Sequence, residues 1–329
     1  MNNSQKQSDF VKQYIKKPEI IFLKSDMSPR SYYRVHDTDK NQSFVLMDAN
    51  LSEDLNPFVR LSRYLNDIQI RAPKVIEQDL ENGFLLLEDF GDNTLTKKFQ
   101  TESSIKIEQN LFEKSFDILH KIYENSSQNF IRNLVPDYSL DLYIKEVNVF
   151  IEYYFKYCRT KDIPADLAQI WKNLWTAALN SIEDFTPRTL VLRDYHVDNL
   201  MLLNNNDIGV LDFQDGVYGS VMYDYISLIE DARRDLNPDL KSHLTKYFLK
   251  IFDKKHHQDY LHASDILGAG RHAKILGVFT RYAILHNNPE KLCHLPRIIE
   301  HLKQALERSE LKEIQYFIKD QGLFLPTLK

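Results

Sequence analysis

The chain predicts an α+β fold of two lobes. Strand-like apolar runs crowd its first 90 residues, helical periodicity takes over beyond Gly91, and one hairpin interrupts the helices near residue 200. Residues 8–16 read as a first helix and 19–24 as a strand rich in Ile, Phe and Leu. Residues 25–31 form a turn into a strand at 32–36, and the polar Asp37-Thr38-Asp39-Lys40-Asn41 returns the chain into 43–47, completing a hairpin. Asn56-Pro57 starts a helix, Asn as N-cap and Pro at the first helical position, with Phe58, Leu61 and Leu65 along its apolar face. Strands follow at 73–78 and 84–87 around Glu81-Asn82-Gly83. Helical spacing then marks 104–123, 140–157 and 166–182, and, after the hairpin, 223–233, 239–252, 264–284 and 295–307. The lobes divide as 1–90 and 93–329, with a hinge at 87–92.

Composition narrows the function. A chain of 329 residues with 43% hydrophobic content is long enough for two lobes around a large core. Its net charge of -5 offers no basic footprint for nucleic acid. Two cysteines, Cys158 and Cys293, are too few for a disulfide framework and read as free thiols. The first 17 residues lack the apolar core of a signal peptide, and no apolar run approaches the ~20 residues of a membrane span. A cytoplasmic protein, monomeric or weakly dimeric, is expected.

The chemistry concentrates in Arg193-Asp194-Tyr195-His196-Val197-Asp198-Asn199 and in Val210-Leu211-Asp212-Phe213-Gln214. Asp194 and Asn199 are spaced D-x-x-x-x-N, the catalytic-loop pattern of kinases, and Asp212-Phe213 stands where a second metal-binding aspartate would follow. Residues 200–203 and 208–211 are apolar runs around Asn204-Asn205-Asn206-Asp207, a turn-forming tetrapeptide. Symmetric pairing about that loop sets Leu203 opposite Ile208 and Asn199 opposite Asp212. Opposed residues hold their Cβ atoms ~5 Å apart, so an amide oxygen and a carboxylate would converge on one Mg²⁺. That cation needs few protein ligands when ATP phosphates and water complete its octahedron. Asp194, just before the first strand, is placed to take the proton of an acceptor hydroxyl.

Further residues carry a family resemblance: Ser25-Asp26 with Arg30 and Tyr32-Tyr33-Arg34, Met47-Asp48, Ala72-Pro73, residues 83–92, Phe213-Gln214-Asp215, Tyr223-Asp224, Arg271-His272 and Leu295-Pro296-Arg297. With the catalytic segment they make the chain resemble the aminoglycoside-phosphotransferase-like kinases, and among them the bacterial sugar kinases of cell-wall recycling that act on the anomeric hydroxyl of N-acetylmuramate and N-acetylglucosamine. The resemblance implies a bilobal protein-kinase-like fold and ATP and Mg²⁺ as cofactors. It makes Asp194 the base and Asn199 and Asp212 the Mg²⁺ ligands. Leu87, Glu88 and Asp89 become the adenine hinge, and Ser28, Arg30 and Ser31 the turn over the phosphates. Arg193, His196 and Asp215 are candidates for contact with the sugar, as are Arg233, Arg234 and the Arg271-His272-Lys274 cluster. Asp224 is expected to cap the following helix and brace the catalytic loop.

One departure stands out. Related kinases carry a lysine on the third strand to hold the α- and β-phosphates, whereas residues 43–48 contain none. Either Arg30, Arg34 or Lys24 replaces it, or the protein is a nucleotide-binding pseudokinase. Asp48 beside phosphate calls for a neighbouring cation. Other acceptors of the same fold remain open: choline, ethanolamine, homoserine or an aminoglycoside.

Overall fold

The computed structural model describes residues 3–23, 30–49, 51–102, 104–182, 186–252 and 256–324. Ser28 and Lys24 lie outside them. The chain forms two compact units, Met1–Ser104 with Val197–Asp215, and Ile105–His196 with Gly216–Lys329. Compactness thus places the hairpin near residue 200 with the N-terminal sheet, a division different from the linear 1–90 and 93–329.

The first unit is built on a five-stranded antiparallel sheet. Its strands are β1 (Pro18–Leu23), β2 (Ser31–Asp37), β3 (Gln42–Asp48), β4 (Val75–Asp79) and β5 (Phe84–Glu88), in the order β1-β2-β3-β5-β4. The first helix, α1, spans Asn3–Lys12, five residues upstream of the helix read at 8–16. Its apolar end, Phe10 and Val11, packs with Ile15, Val35, Leu46, Phe84 and Leu86. Its polar beginning is fixed by tertiary contact: Asn3 and Gln7, one turn apart, both donate to Asp48 Oδ2, at 2.7 and 2.5 Å. Among the described residues Asp48 is therefore answered by amides, where a cation was expected.

Helix α2 (Asn56–Asp67) begins one residue earlier than read, with Leu55 at the N-cap. Asn56 turns back instead, its backbone and side-chain nitrogens both donating to Asp54 Oδ1. The unit is completed by α3 (Leu95–Thr101), which was not anticipated, and by the hairpin β7 (Leu200–Leu202) and β8 (Ile208–Val210).

The second unit is mainly helical. Its helices are α4 (Ile105–Asn125), α5 (Gln128–Leu134), α6 (Leu140–Val149), α7 (Phe155–Arg159), α8 (Ala165–Asn180), α9 (Met222–Ile229), α10 (Pro238–Phe252), α11 (His257–His286), α12 (Leu295–Arg308) and α13 (Lys312–Asp320). Two short strands, β6 (Arg188–Val191) and β9 (Val217–Ser220), pair antiparallel. A π-helical turn, Phe150–Tyr154, links α6 to α7, so the helix read at 140–157 is one rod with a wide turn in it. That turn receives α11: a Cβ on Gly277 would stand 2.3 Å from the Val149 carbonyl oxygen, so only glycine allows the backbones to approach. Phe150 stacks on Trp171 with centroids 4.8 Å apart, and Tyr154 donates to the Leu323 carbonyl at 2.8 Å. Among the described residues no helix is long and apolar enough to cross a membrane.

Candidate active site

In the first unit Asn199 and Asp212 come together by a route the sequence did not reveal. The hairpin pairs Leu202 with Ile208 and Leu200 with Val210, one residue out of the symmetric register. The loop takes the extra residue: Leu203 N–H reaches the Asp207 carbonyl, Asn206 N–H reaches that of Leu203, and Asn206 adopts a left-handed φ of 62°. Asn199 consequently faces Leu211, whose N–H donates to the Asn199 carbonyl at 2.9 Å. A one-residue slip would turn Asp212 to the opposite face. It is turned back by its own left-handed backbone, φ 57°, and its Oδ2 lies 3.4 Å from Asn199 Nδ2. Gln214 Nε2 donates to the other carboxylate oxygen at 2.7 Å and to Asp215 Oδ2 at 3.3 Å. Buried Phe213 packs on Phe58 of α2 at 4.9 Å, anchoring the segment from behind.

These donors fit Mg²⁺. A carboxylate and an amide side by side are hard oxygen ligands once the amide turns its oxygen outward, since amide nitrogen and oxygen exchange by a simple flip. Among the described residues no three His, Cys, Asp or Glu side chains gather to cage a metal, and a phosphate-bound Mg²⁺ does not need such a cage. The hairpin is tied to the sheet's surroundings by Val210 N–H to the Arg71 carbonyl (2.7 Å), Leu202 N–H to the Asn93 carbonyl (2.8 Å), and Thr96 to Asp198.

The two described basic candidates of the sheet separate. Arg34 on β2 is held by two carboxylates, Asp89 and Asp92, through four hydrogen bonds of 2.7–3.2 Å. Arg30 is buried and paired to Glu53, its Nε 2.6 Å from Oε1. Burial disfavours its charge, but Glu53 outweighs this and keeps it protonated. Tyr32, two residues on, lies close enough to feel both Arg30 and Asp212. Burial raises its phenol, Arg30 opposes the rise and the charge of Asp212 adds to it. Ser31 opens β2 opposite Asp48. At the hinge Leu87 pairs with Val45, Glu88 binds Arg71 at 2.5 Å, and Asp89 accepts the Gly91 N–H at 2.8 Å. A cavity of about 700 Å³ opens beside the hinge, lined by residues 88–93, Arg71 and the hairpin loop 202–206. It lies at the loop end of the hairpin, away from Asn199 and Asp212.

In the second unit Asp194 and its neighbours are fastened from below. Asp224, fully buried in the first turn of α9, accepts the backbone N–H groups of Leu192 (2.6 Å) and Arg193 (2.9 Å). The expected bracing is present, while the N-cap position belongs to Val221. Arg193, in a left-handed conformation with φ 70°, sends its guanidinium to Glu146, not outward to a ligand. Glu146 also accepts from Lys274 Nζ of α11 at 3.1 Å and from Tyr138 and Tyr223. Burial would raise Asp194, yet Lys274, followed by His196, Arg271 and Arg193, outweighs it and holds the carboxyl below its ordinary value. Burial and Arg233 push His196 itself below its ordinary value, so at neutral pH the lysine and arginines carry that effect.

The remaining basic candidates are mostly engaged. Arg234 binds Glu108 at 3.0 Å, Arg233 lies 3.5 Å from Asp231, and His272 meets buried Glu230 at 2.8 Å. Glu53, Glu146 and Asp231 were not singled out as contacts for these groups, and nothing in their local spacing marks them.

Residues 19–260 match the model of a phosphotransferase enzyme family. The chain is 33% identical over 304 residues to the N-acetylmuramate/N-acetylglucosamine kinase of Pseudomonas aeruginosa, covering 90% of this chain and 86% of that protein. Its fold is similar to a putative aminoglycoside phosphotransferase from Ralstonia eutropha (TM-score 0.65, 12% identity, 93% and 98% of the two chains). It is also similar to a choline kinase from Streptococcus pneumoniae (TM-score 0.60, 13% identity, 91% and 99%).

Proposed function

The chain belongs to the phosphotransferase enzyme family, and from that premise we propose that it is an ATP- and Mg²⁺-dependent kinase for the anomeric C1 hydroxyl of N-acetylmuramate and N-acetylglucosamine, serving peptidoglycan recycling from the cytoplasmic ATP pool. The observation that carries the acceptor is the identity to a kinase of that name, sustained over nine-tenths of the chain. The chemistry is supported by an aspartate kept ionised beside buried cations and by an amide and a carboxylate brought side by side.

Asp194 accepts the proton of the acceptor hydroxyl as its oxygen bonds to the γ-phosphorus and the bond to the β,γ-bridging oxygen breaks, leaving ADP. Asn199 and Asp212 would hold Mg²⁺, which when bound neutralises the β- and γ-oxygens. The backbone of Leu87, Glu88 and Asp89 would meet the adenine edge. Arg30 would supply the cation missing from β3, with Glu53 fixing it, and this pair speaks against a pseudokinase reading. A polycationic drug is a poor acceptor because the acidic residues that would attract it are already paired: Glu230 with Lys241, His272 and Arg308, and Asp235 with Arg297.

The test is ³¹P NMR of products formed from Mg-ATP with N-acetylmuramate, N-acetylglucosamine, glucose, choline or kanamycin. An acid-labile anomeric phosphate on the N-acetylated sugars is expected. Product only on another acceptor overturns the substrate, and no product on any overturns the activity.

A further inference from the structure

Arg271 belongs to the basic cluster that keeps Asp194 ionised. It lies on α11 one turn before Lys274, so both side chains leave the same face of the helix. Lys274 reaches Glu146, which also grips Arg193, the residue before the base. Helix α11 packs against α9, whose Asp224 holds the backbone of that same loop. Arg271 is therefore built into the wall behind Asp194, and it is 96% buried. Its Nη1 has no hydrogen-bond partner among the described residues.

A guanidinium has five donors and no acceptor, and leaving one of them dry in the interior costs free energy that native structures almost always avoid. Three carboxylates, those of Asp194, Asp224 and Asp231, are close enough to act on it, yet among the described residues none accepts from its Nη1. Asp224 takes two backbone N–H groups, and Asp231 takes the N–H and side chain of Arg233. Its planar fork is the side chain best matched to a carboxylate. The two sugars of the proposed activity differ in one charged group, the lactyl carboxylate that N-acetylmuramate has and N-acetylglucosamine lacks.

We propose that Arg271 reads that carboxylate, making it the residue that sets preference between the two acceptors. The inference rests on the sugar-kinase reading. Its test compares kcat/KM for both sugars in the wild type, Arg271→Gln and Arg271→Lys. The ratio for N-acetylmuramate over N-acetylglucosamine is expected to fall about 10- to 100-fold in Arg271→Gln, the range of a hydrogen-bonded charged contact, and to recover only partly with the non-planar lysine. A second arm needs no variant. N-acetylmuramate with its carboxylate converted to the amide should lose a similar factor in the wild type and little more in Arg271→Gln. Parallel loss on both sugars, or full activity on the amide, overturns the assignment of Arg271 while leaving the kinase reading intact. Failure of the wild type on both sugars overturns the sugar-kinase reading and this inference with it.

Discussion

Asp194 owes its charge to its neighbours, and that makes its role separable from nucleotide binding. Asp194→Asn keeps the shape and removes the base, so turnover is expected to fall by about 10²–10⁴ while Mg-ATP affinity holds. Single-turnover kinetics with parallel nucleotide titration would check this, and equal losses in both would refute it. Arg30→Met should act oppositely, raising KM for ATP by about 10- to 100-fold with a smaller effect on the acceptor, since it takes the cation from half-buried Glu53 and removes a charge-assisted contact. His301 gives a pH signature. Burial and the adjacent His272 ring, stacked at 5.3 Å, push it down to about 4 from 6.5. Between those values the unfolded chain binds the proton and the folded one does not, so stability falls as pH drops through that window, by roughly 3 kcal/mol. Urea unfolding from pH 7 to 4 should show a shallower acid decline in His301→Gln; an unchanged slope would remove His301 as its source.

Elements were readable where local pattern and tertiary demand agree. The strands of the first unit stand out because apolar runs meet turn residues such as Asp37 to Asn41, and the hairpin at β2 and β3 forms as expected. The β7–β8 hairpin was recognised but misregistered, since the choice of which loop residue goes left-handed is settled by backbone hydrogen bonds at Leu203 and Asn206 that composition does not encode. Helix α1 was displaced because its polar first turn is held by Asp48, 41 residues from Gln7. Helix α13 carries Ile314, Phe317 and Ile318 at helical spacing, a signal that was present and unread. At this scale Gly277→Ala is the informative change. Its methyl would collide with the Val149 backbone, and overpacking of that kind is expected to cost about 1–3 kcal/mol. Denaturant melts compared with an alanine substitution at an exposed position would measure it, and a loss under 0.5 kcal/mol would mean that α11 and the π turn yield easily.

For the whole molecule the distribution of the site matters. The motif residues Asp194, Asn199 and Asp212 could be found in the sequence because their spacing is local. Their supports could not: Glu53 is 23 residues from Arg30, Glu146 is 47 from Arg193, and Lys274 is 128 from Glu146. The sheet-then-helix order was readable, whereas the allotment of residues 197–215 to the first unit depends on contacts with Arg71, Asn93 and Thr96. Nucleotide binding should register in the stability of the full chain. Mg-ATP at about 100 times its Kd stabilises a binding-competent fold by about 2.7 kcal/mol, so a Tm rise of several degrees is expected in the wild type and in Asp194→Asn. In Asp212→Ala the magnesium-dependent part of that rise should vanish, and its persistence would show that the metal is held elsewhere.

The same allotment constrains how the protein is born. A chain emerging from the ribosome presents the carbonyls of Arg71 and Asn93 long before Val210 and Leu202 exist to bond them. The first unit therefore stays unfinished while residues 105–196 are made, and its completion waits for the segment that brings Asn199 and Asp212. Synthesis that stops short of residue 212 leaves the sheet without one or both of the residues proposed to hold Mg²⁺, so such partial products are expected not to capture Mg-ATP.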